Sequence, residues 1–212
     1  MKYEIVSTGS KGNCIIINDY LMLDCGVPYR WLKKYIKNIK VIFISHLHSD
    51  HFKKTTIEKI AYERPNIIFV VGKYMVKDLL RCGIKGANII VLPTEKWFDL
   101  NAFKVRLDYL YHDVPNDCIH IEFKDGKKLL YATDTSSIDH IVAKDYDLYL
   151  IEGNYETNDD IREKIKEKKE KGEFCYLERV QETHLSQLQA INWLDKNKGA
   201  NSEYVFIHQH QD

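Results

Sequence analysis

Apolar and polar positions follow two rhythms along this chain, and the change between them organises it. Residues 3 to 6 and 14 to 18 are short apolar stretches that predict two strands, and Leu21-Met22-Leu23 predicts a third, ending at Asp24-Cys25-Gly26. Residues 29 to 40 place Trp31, Leu32, Tyr35, Ile36 and Ile39 at helical spacing, which predicts an amphipathic helix with those side chains towards the core. Val41-Ile42-Phe43-Ile44 predicts a buried strand. Helices over Thr55 to Arg64, stopped by Pro65, and over Lys73 to Arg81, closed by Gly83, then alternate with strands over Ile67 to Val71 and Asn88 to Leu92. From Phe103 the pattern changes to alternating strands, Phe103 to Tyr111 and Cys118 to Phe123, with Asp125-Gly126 as a hairpin signal before the return over Lys128 to Ala132. Asp147 to Ile151 and Glu203 to Ile207 are late strands. Between them a helix over Leu185 to Lys196 has Leu185, Leu188, Ile191, Trp193 and Leu194 available for burial. Helices outside and hairpins inside, in both halves, predict an α/β fold with two sheets sandwiched between helices. No repeat, low-complexity stretch or linker interrupts the pattern, so one domain over residues 1–212 is expected.

Composition narrows the function classes. The 212 residues are enough for a sizeable core, and 44% apolar with 29% charged residues is the balance of a soluble globular protein. The formal net charge is zero, so the strong basic field of a non-specific nucleic-acid binder is absent. Arg30, Lys33, Lys34, Lys37 and Lys40, with no acidic residue between them, are either a solvated face or a local phosphate-backbone contact. The five cysteines are odd in number, with no Cys-x-x-Cys spacing. There is no apolar signal core and no run near the ~18 residues of a membrane span. A reduced, cytoplasmic setting without a membrane partner is expected. Residues 158 to 173 are dominated by charge and predict an exposed helical excursion, or else a lid or subunit contact. Residues 155–182 are the candidate contact of a homodimer.

The chemistry-bearing residues cluster. His46-Leu47-His48-Ser49-Asp50-His51 directly follows the buried apolar run, and neutral imidazoles with an ionised carboxylate are good ligands for zinc and similar divalent ions. Three further metal-capable residues, His112, Asp134 and His208, each stand at the C-terminal end of an apolar strand, and strand ends along one rim line the ligand site in layered sheet folds. Ser7-Thr8-Gly9-Ser10-Lys11-Gly12-Asn13 suits a plain tight turn, or a loop whose backbone N–H groups and hydroxyls face an anion.

With these pieces the chain resembles the metallo-β-lactamase superfamily. More closely it resembles the YycJ/WalJ-like branch, with RNase Z a more distant relative. Leu23-Asp24-Cys25-Gly26, Tyr131-Ala132-Thr133-Asp134-Thr135, Glu152-Gly153-Asn154-Tyr155 and Thr183-His184-Leu185-Ser186 add to the likeness, which runs from residue 3 to about 208. The resemblance implies an αββα sandwich of two mixed sheets with a two-metal site on one edge. His46, His48 and His112 would hold the first metal, Asp50, His51 and His208 the second, and Asp134 would bridge them. Asp24 would orient a ligand histidine. His184 matches the extra histidine of the phosphodiester-cleaving branches, where it would contact the scissile phosphate or protonate the leaving oxygen. Asp50 and His184 are then the catalytic residues, and Ser10, Lys11 and Asn13 the candidates for phosphate binding. Thr183 stands where a glycine is usual. The chain ends Gln209-His210-Gln211-Asp212, so His208 and His210 compete as last ligand, and His208 is favoured because it directly follows the apolar run.

Two divalent ions about 3.5–4 Å apart can share a water and lower its pKa towards neutrality. The function expected is therefore a binuclear metal-dependent hydrolase cleaving phosphodiester bonds of nucleotides. Its substrate is nucleic acid by the YycJ/WalJ resemblance, or a cyclic nucleotide as in the phage anti-Pycsar phosphodiesterases of the same superfamily. Zinc suits the histidine-rich ligand set, and manganese its carboxylate and water positions. Hydrolysis of a carbon ester, lactone or thioester is the alternative, and His184 in its Leu-Ser context weighs against it. Flavin-dependent di-iron relatives carry a Glu where His48 stands.

Overall fold

The structure, a computed structural model, describes residues 1–209. Its strands form two six-stranded sheets, each laid out in chain order. The first holds β1 (Tyr3–Ser7), β2 (Cys14–Ile17), β3 (Leu21–Leu23), β4 (Val41–Phe43), β5 (Ile68–Val71) and β6 (Ile89–Val91). Pairing is antiparallel from β1 to β3 and parallel from β3 to β6. The parallel pairs need crossovers, which α2 (Lys54–Glu63) and α3 (Val76–Arg81) supply; α1 (Tyr29–Leu32) precedes β4. The second sheet holds β7 (Trp97–Asp99), β8 (Phe103–Leu110), β9 (Asn116–Phe123), β10 (Lys128–Ala132), β11 (Leu148–Glu152) and β12 (Glu203–Ile207). It is antiparallel from β7 to β10 and parallel from β10 to β12.

Side chains alternate across each strand, and the alternation sorts the core into layers. Ile15, Ile17, Leu21, Leu23, Phe43 and Val70 of the first sheet meet Val105, Leu107, Ile119, Ile121, Leu129 and Leu148 of the second. Their neighbours Ile16, Met22, Ile42 and Phe69 face the other way, onto Leu32, Ile57, Ile60 and Leu79. On the far side Leu130, Ala132, Tyr149 and Ile151 pack on Ala190, Trp193 and Leu194 of α6 (Gln187–Asn197). Two mixed sheets between helices, the αββα order expected, is therefore what the chain adopts. Ser186 fixes the start of α6 with a reciprocal capping box to Gln189.

Two expectations are corrected, and two elements go beyond what was expected. The helix over 29 to 40 reduces to the four residues of α1 followed by turns, and Trp31 is 40% exposed, while Leu32, Ile36 and Ile39 are buried as expected. Lys33–Lys37 and Lys34–Lys37 are like charges one turn apart with no carboxylate between, which disfavours a continuous helix. In α6, Leu188 and Ile191 are 49% and 38% exposed, because the buried stripe runs through Ala190, Trp193 and Leu194 instead. The edge strand β7 was not anticipated from its three residues. The charged stretch forms α4 (Asn158–Glu170), and α5 (Leu177–Thr183) follows it; together they bury a small separate cluster of Ile161, Ile165 and Leu177. Among the described residues no helix is long and apolar enough to cross a membrane.

Candidate metal centre

The parallel strands set the rim. Leu23 pairs with Phe43, and Ile151 lies beside both Ala132 and Phe206, so the chain leaves β3, β4, β10, β11 and β12 along one edge of the sandwich. Asp24, Asp134 and His208, just after β3, β10 and β12, all have left-handed backbone, with φ of 57°, 55° and 51°. This conformation is tolerable for Asp and uncommon for His. Strained residues of this kind cluster where a fold has to aim side chains at one point.

The 46–51 loop is clamped from below. Cys25 N donates to His51 O at 2.8 Å, and Asn13 N donates to Asp50 O at 2.6 Å. Gly26 lets the loops after β3 and β4 approach: a Cβ there would lie 1.6 Å from Asp50 O. Asn13, an expected phosphate contact, is buried; its amide reaches Gly9 O, Asp50 O and, at 2.8 Å, His51 Nε2, so it braces the loop. Ser10 and Lys11 are exposed on the same turn, and the contacts resolved there do not tie them to the histidines. His208 N donates to Thr8 Oγ1 at 2.7 Å, which ties the last strand to this loop.

The ligand-capable atoms converge in overlapping groups. His46, His48 and His112 form one group, Asp50, His51 and His208 another, and His46, His51 and Asp134 a third that joins them; within each, the atoms lie within 4.8 Å of one another. His210 lies outside the described residues. Each ring is aimed by its other nitrogen. His51 Nδ1 is 2.6 Å from Asp24 Oδ2, His46 Nδ1 is 2.9 Å from Ser45 Oγ, and His112 Nδ1 is 3.1 Å from Thr183 O. His208 Nδ1 is 3.2 Å from Glu152 Oε1, and His48 Nε2 is 3.2 Å from Asp113 Oδ1. Outer partners of this kind fix the tautomer, leaving His46, His51, His112 and His208 to point Nε2 inward and His48 to point Nδ1 inward. Asp24 is held in turn by Ser45 and by the Tyr131 hydroxyl at 2.5 Å.

Two observations fit this set to divalent cations. His46 Nε2 is buried and has no hydrogen-bond partner, an expensive state for a ring nitrogen unless a Lewis acid takes its lone pair. Burial and the nearby His51 keep His46 well below the usual imidazole range, so it is the neutral form that points inward. Carboxylates meanwhile crowd the second group. Burial opposes ionisation of Asp50, but the His208 and His51 hydrogen bonds hold its carboxyl well below the usual range. Burial also opposes a charged His208, yet Asp134, Asp50 and Glu152 push it up to about 10. So much negative charge calls for positive charge at the same place, which bound cations supply.

Two residues of the centre carried no assigned role in the sequence. Glu152 is buried at the end of β11, where Oε2 accepts from Thr135 N at 2.9 Å and Leu185 N at 3.1 Å, while Oε1 faces His184 Nδ1 at 2.6 Å and His208. It obeys the same strand-end rule that singled out Asp134 and His208, and that signal was available. Asp113 borders the first group through His48 and His112, and its other oxygen is bonded by Arg179 of α5. Nothing local marks that contact, which depends on how α5 folds back. His184 stands beside the centre; burial lowers its pKa, but the Glu152 carboxylate outweighs that and raises it overall. His184, Glu152, Asp134 and His208 also converge within 4.8 Å.

Such a sandwich, with five histidines and two aspartates on one rim, belongs to a recognisable class. Residues 21–209 match the beta-lactamase superfamily domain, and the chain is a member of that family. Among curated proteins, the cytidine monophosphate-N-acetylneuraminic acid hydroxylase of Xenopus laevis is 33% identical over 113 residues, which are 50% of this chain and 19% of the hydroxylase. That of Sus scrofa is 31% identical over 113 residues and 25% of its length. The matched stretch thus spans a quarter or less of these relatives. Among solved structures, the metallo-beta-lactamase fold protein YhfI from Bacillus subtilis superposes with a TM-score of 0.74 at 16% identity, over 99% of this chain and 86% of that one. Human tRNase Z, short form, gives 0.73 at 18% identity over 100% and 93%. A diphosphatase of the PhnP family gives 0.67 at 12% over 98% and 85%. At such identities the likeness is one of fold.

Proposed function

We propose that the chain is a binuclear-metal phosphodiesterase acting on nucleotides. The observation that carries this reading is the pairing of two metal-capable groups, joined through Asp134, with a histidine outside both sets whose Nδ1 faces a buried carboxylate at 2.6 Å, which raises its pKa. His46, His48 and His112 would hold one ion, Asp50, His51 and His208 the other, and Asp134 both, with zinc or manganese the best match to these donors. Bound there, divalent ions supply Lewis acidity at the phosphoryl oxygens and a water of lowered pKa. The chain's own part is positioning and proton transfer. Glu152 holds the proton of His184 on Nδ1 and leaves Nε2 to donate to the departing alkoxide, a contribution of about 10²–10⁴-fold in general-acid catalysis. Asp24, Glu152 and Asp113 keep the ligand rings aimed. A tRNase and a diphosphatase share the fold, which accords with the reading. The hydroxylases' activity is not carried over, since the match covers a quarter or less of their length. Five free cysteines, four of them buried, accord with a reducing cytoplasmic setting.

The test is protein purified without chelator, analysed for metal and assayed with zinc and with manganese. Its substrates are bis(p-nitrophenyl) phosphate, a cyclic mononucleotide, a labelled DNA oligonucleotide and a thioester. Two equivalents of metal and turnover of a phosphodiester are expected. Less than one equivalent after reconstitution, or turnover of the thioester alone, overturns the proposal.

A further inference from the structure

We infer that the cavity walled by α4 and α5 beside the metal centre is a nucleoside subsite, and that the substrate is a single nucleotide rather than a strand. The inference rests on the phosphodiesterase reading above. The cavity measures about 590 Å³, within the size range of small-ligand sites. Its inner end touches the centre. Asn154, which lines it, donates to His208 O at 2.9 Å, and Gln209, which also lines it, is the next residue after His208. Tyr155, on the same wall, has its hydroxyl 3.4 Å from His184 O. A phosphodiester at the metals therefore has this cavity as its neighbour.

The lining has a chemical logic. Lys164 and Lys168 in α4 and Lys171 at its C-cap recur at i, i+4 and i+7, so they share one face, and that face lines the cavity. None of the three has a carboxylate partner among the described residues, whereas Arg162, Lys166 and Lys169, which do not line it, are each ion-paired, with Asp159, Glu170 and Glu178. Lys168 Nζ lies 5.3 Å from the centroid of the Tyr176 ring, which also lines the cavity and is 41% exposed. Glu156, Asp160, Glu167 and Glu173 also line it, so carboxylates and ammonium groups are interspersed around the cavity. Aromatic faces, ammonium donors without carboxylate partners and carboxylate acceptors together suit a base with a π-face and both donors and acceptors on its edge. A nucleic-acid strand calls for an unbroken row of cations along its phosphates, which alternating lysines and glutamates do not supply.

The test uses the full, metal-loaded chain and a 3′,5′-cyclic mononucleotide, with turnover and with calorimetric binding of its phosphorothioate analogue. Tyr176→Ala is expected to raise KM and Kd about tenfold, as loss of one base-stacking contact does, and Lys168→Ala to raise both as well, with kcat within about twofold in each. Tyr176→Phe and Lys168→Arg should restore most of the loss, and Lys166→Ala, on the other face, should change neither constant. KM and Kd unmoved in both alanine variants overturn the inference, as does a fall in kcat alone, or an effect confined to a DNA oligonucleotide. Wild-type turnover of bis(p-nitrophenyl) phosphate tests the underlying reading separately. If that substrate is inert, the phosphodiesterase reading fails, while the binding titrations still decide whether the cavity takes a nucleotide.

Discussion

Glu152 Oε1 lies 2.6 Å from His184 Nδ1, in a spot where the glutamate is fully buried and the histidine side chain 15% exposed. Neutralising this carboxylate while keeping its shape, as in Glu152→Gln, removes the group that holds the proton on His184. The raised pKa should fall, and because a general acid works only while protonated, the alkaline limb of the pH–rate profile should move to lower pH. The loss in kcat on a cyclic nucleotide should be about 10²-fold or more. It should be smaller on bis(p-nitrophenyl) phosphate, whose phenolate leaves without a proton. Equal losses on the two substrates with an unmoved alkaline limb would show that Glu152 acts only through His208.

Asp113 is the corresponding outer partner on the other side of the centre. Its Oδ1 is 3.2 Å from His48 Nε2, the ring nitrogen turned away from the centre, and Arg179 holds its second oxygen. Asp113→Asn should weaken one of the two metal equivalents 10–100-fold, the usual cost of losing such a partner, and leave the other unchanged. Competition titration against a chelator resolves the two sites. Arg179→Ala should do far less, because an exposed ion pair is worth about 0–1 kcal/mol. A uniform loss at both sites, or none, would contradict the assignment of Asp113 to the first.

The sandwich was legible because strand burial is written in period two and helices in period 3.6: Ile15, Ile17, Leu21 and Leu23 face one way and Ile16 and Met22 the other, as the pattern requires. His46 to His51, Asp134 and His208 were legible because the rim of a layered sheet collects whatever ends its strands. Glu152 obeys the same rule and was legible in principle. Asp113, the α5 fold-back and the role of Asn13 were not, since each depends on contacts between segments far apart in the chain. In residues 29 to 40 the hydrophobic spacing placed Leu32, Ile36 and Ile39 in the core without fixing a continuous helix, because turns can bury the same positions.

Gly26 is where the loop over the first sheet has no slack. A Cβ would come within 1.6 Å of Asp50 O and 2.9 Å of Asn13 N, both backbone atoms. Gly26→Ala must push the 46–51 loop away and break the Asn13–Asp50 and Cys25–His51 bonds. The expected cost is at the upper end for overpacking, about 3 kcal/mol, or a fall in Tm of roughly 6–12 °C for a chain of this size. Metal at the Asp50 group should be lost with it. A Tm within about 1 °C of wild type by calorimetry would show that the loop is not held by this approach.

Asp117 gives a pH dependence that is separable from the metal ligands. It is buried at the start of β9, where its Oδ2 accepts from the Tyr74 hydroxyl at 3.0 Å. Burial pushes its carboxyl up to about 6; the Tyr74 bond opposes the shift and Asp108 adds to it. An unfolded aspartate titrates near 3.9, so between roughly pH 4 and pH 6 the folded chain binds a proton that the unfolded chain does not. Stability then falls as pH rises across that window, by up to about 3 kcal/mol, and stays at the lower level above it. Asp117→Asn cannot ionise, and its amide oxygen can still accept from Tyr74. The variant should match wild type near pH 4 and exceed it by about 2–3 kcal/mol at pH 7.5. Urea unfolding of both proteins at the two pH values, under the same metal conditions, measures the difference directly. Contributions from Asp50, Asp134 and the histidines cancel in that comparison, so a difference that does not change with pH would mean that Asp117 is not the group that titrates.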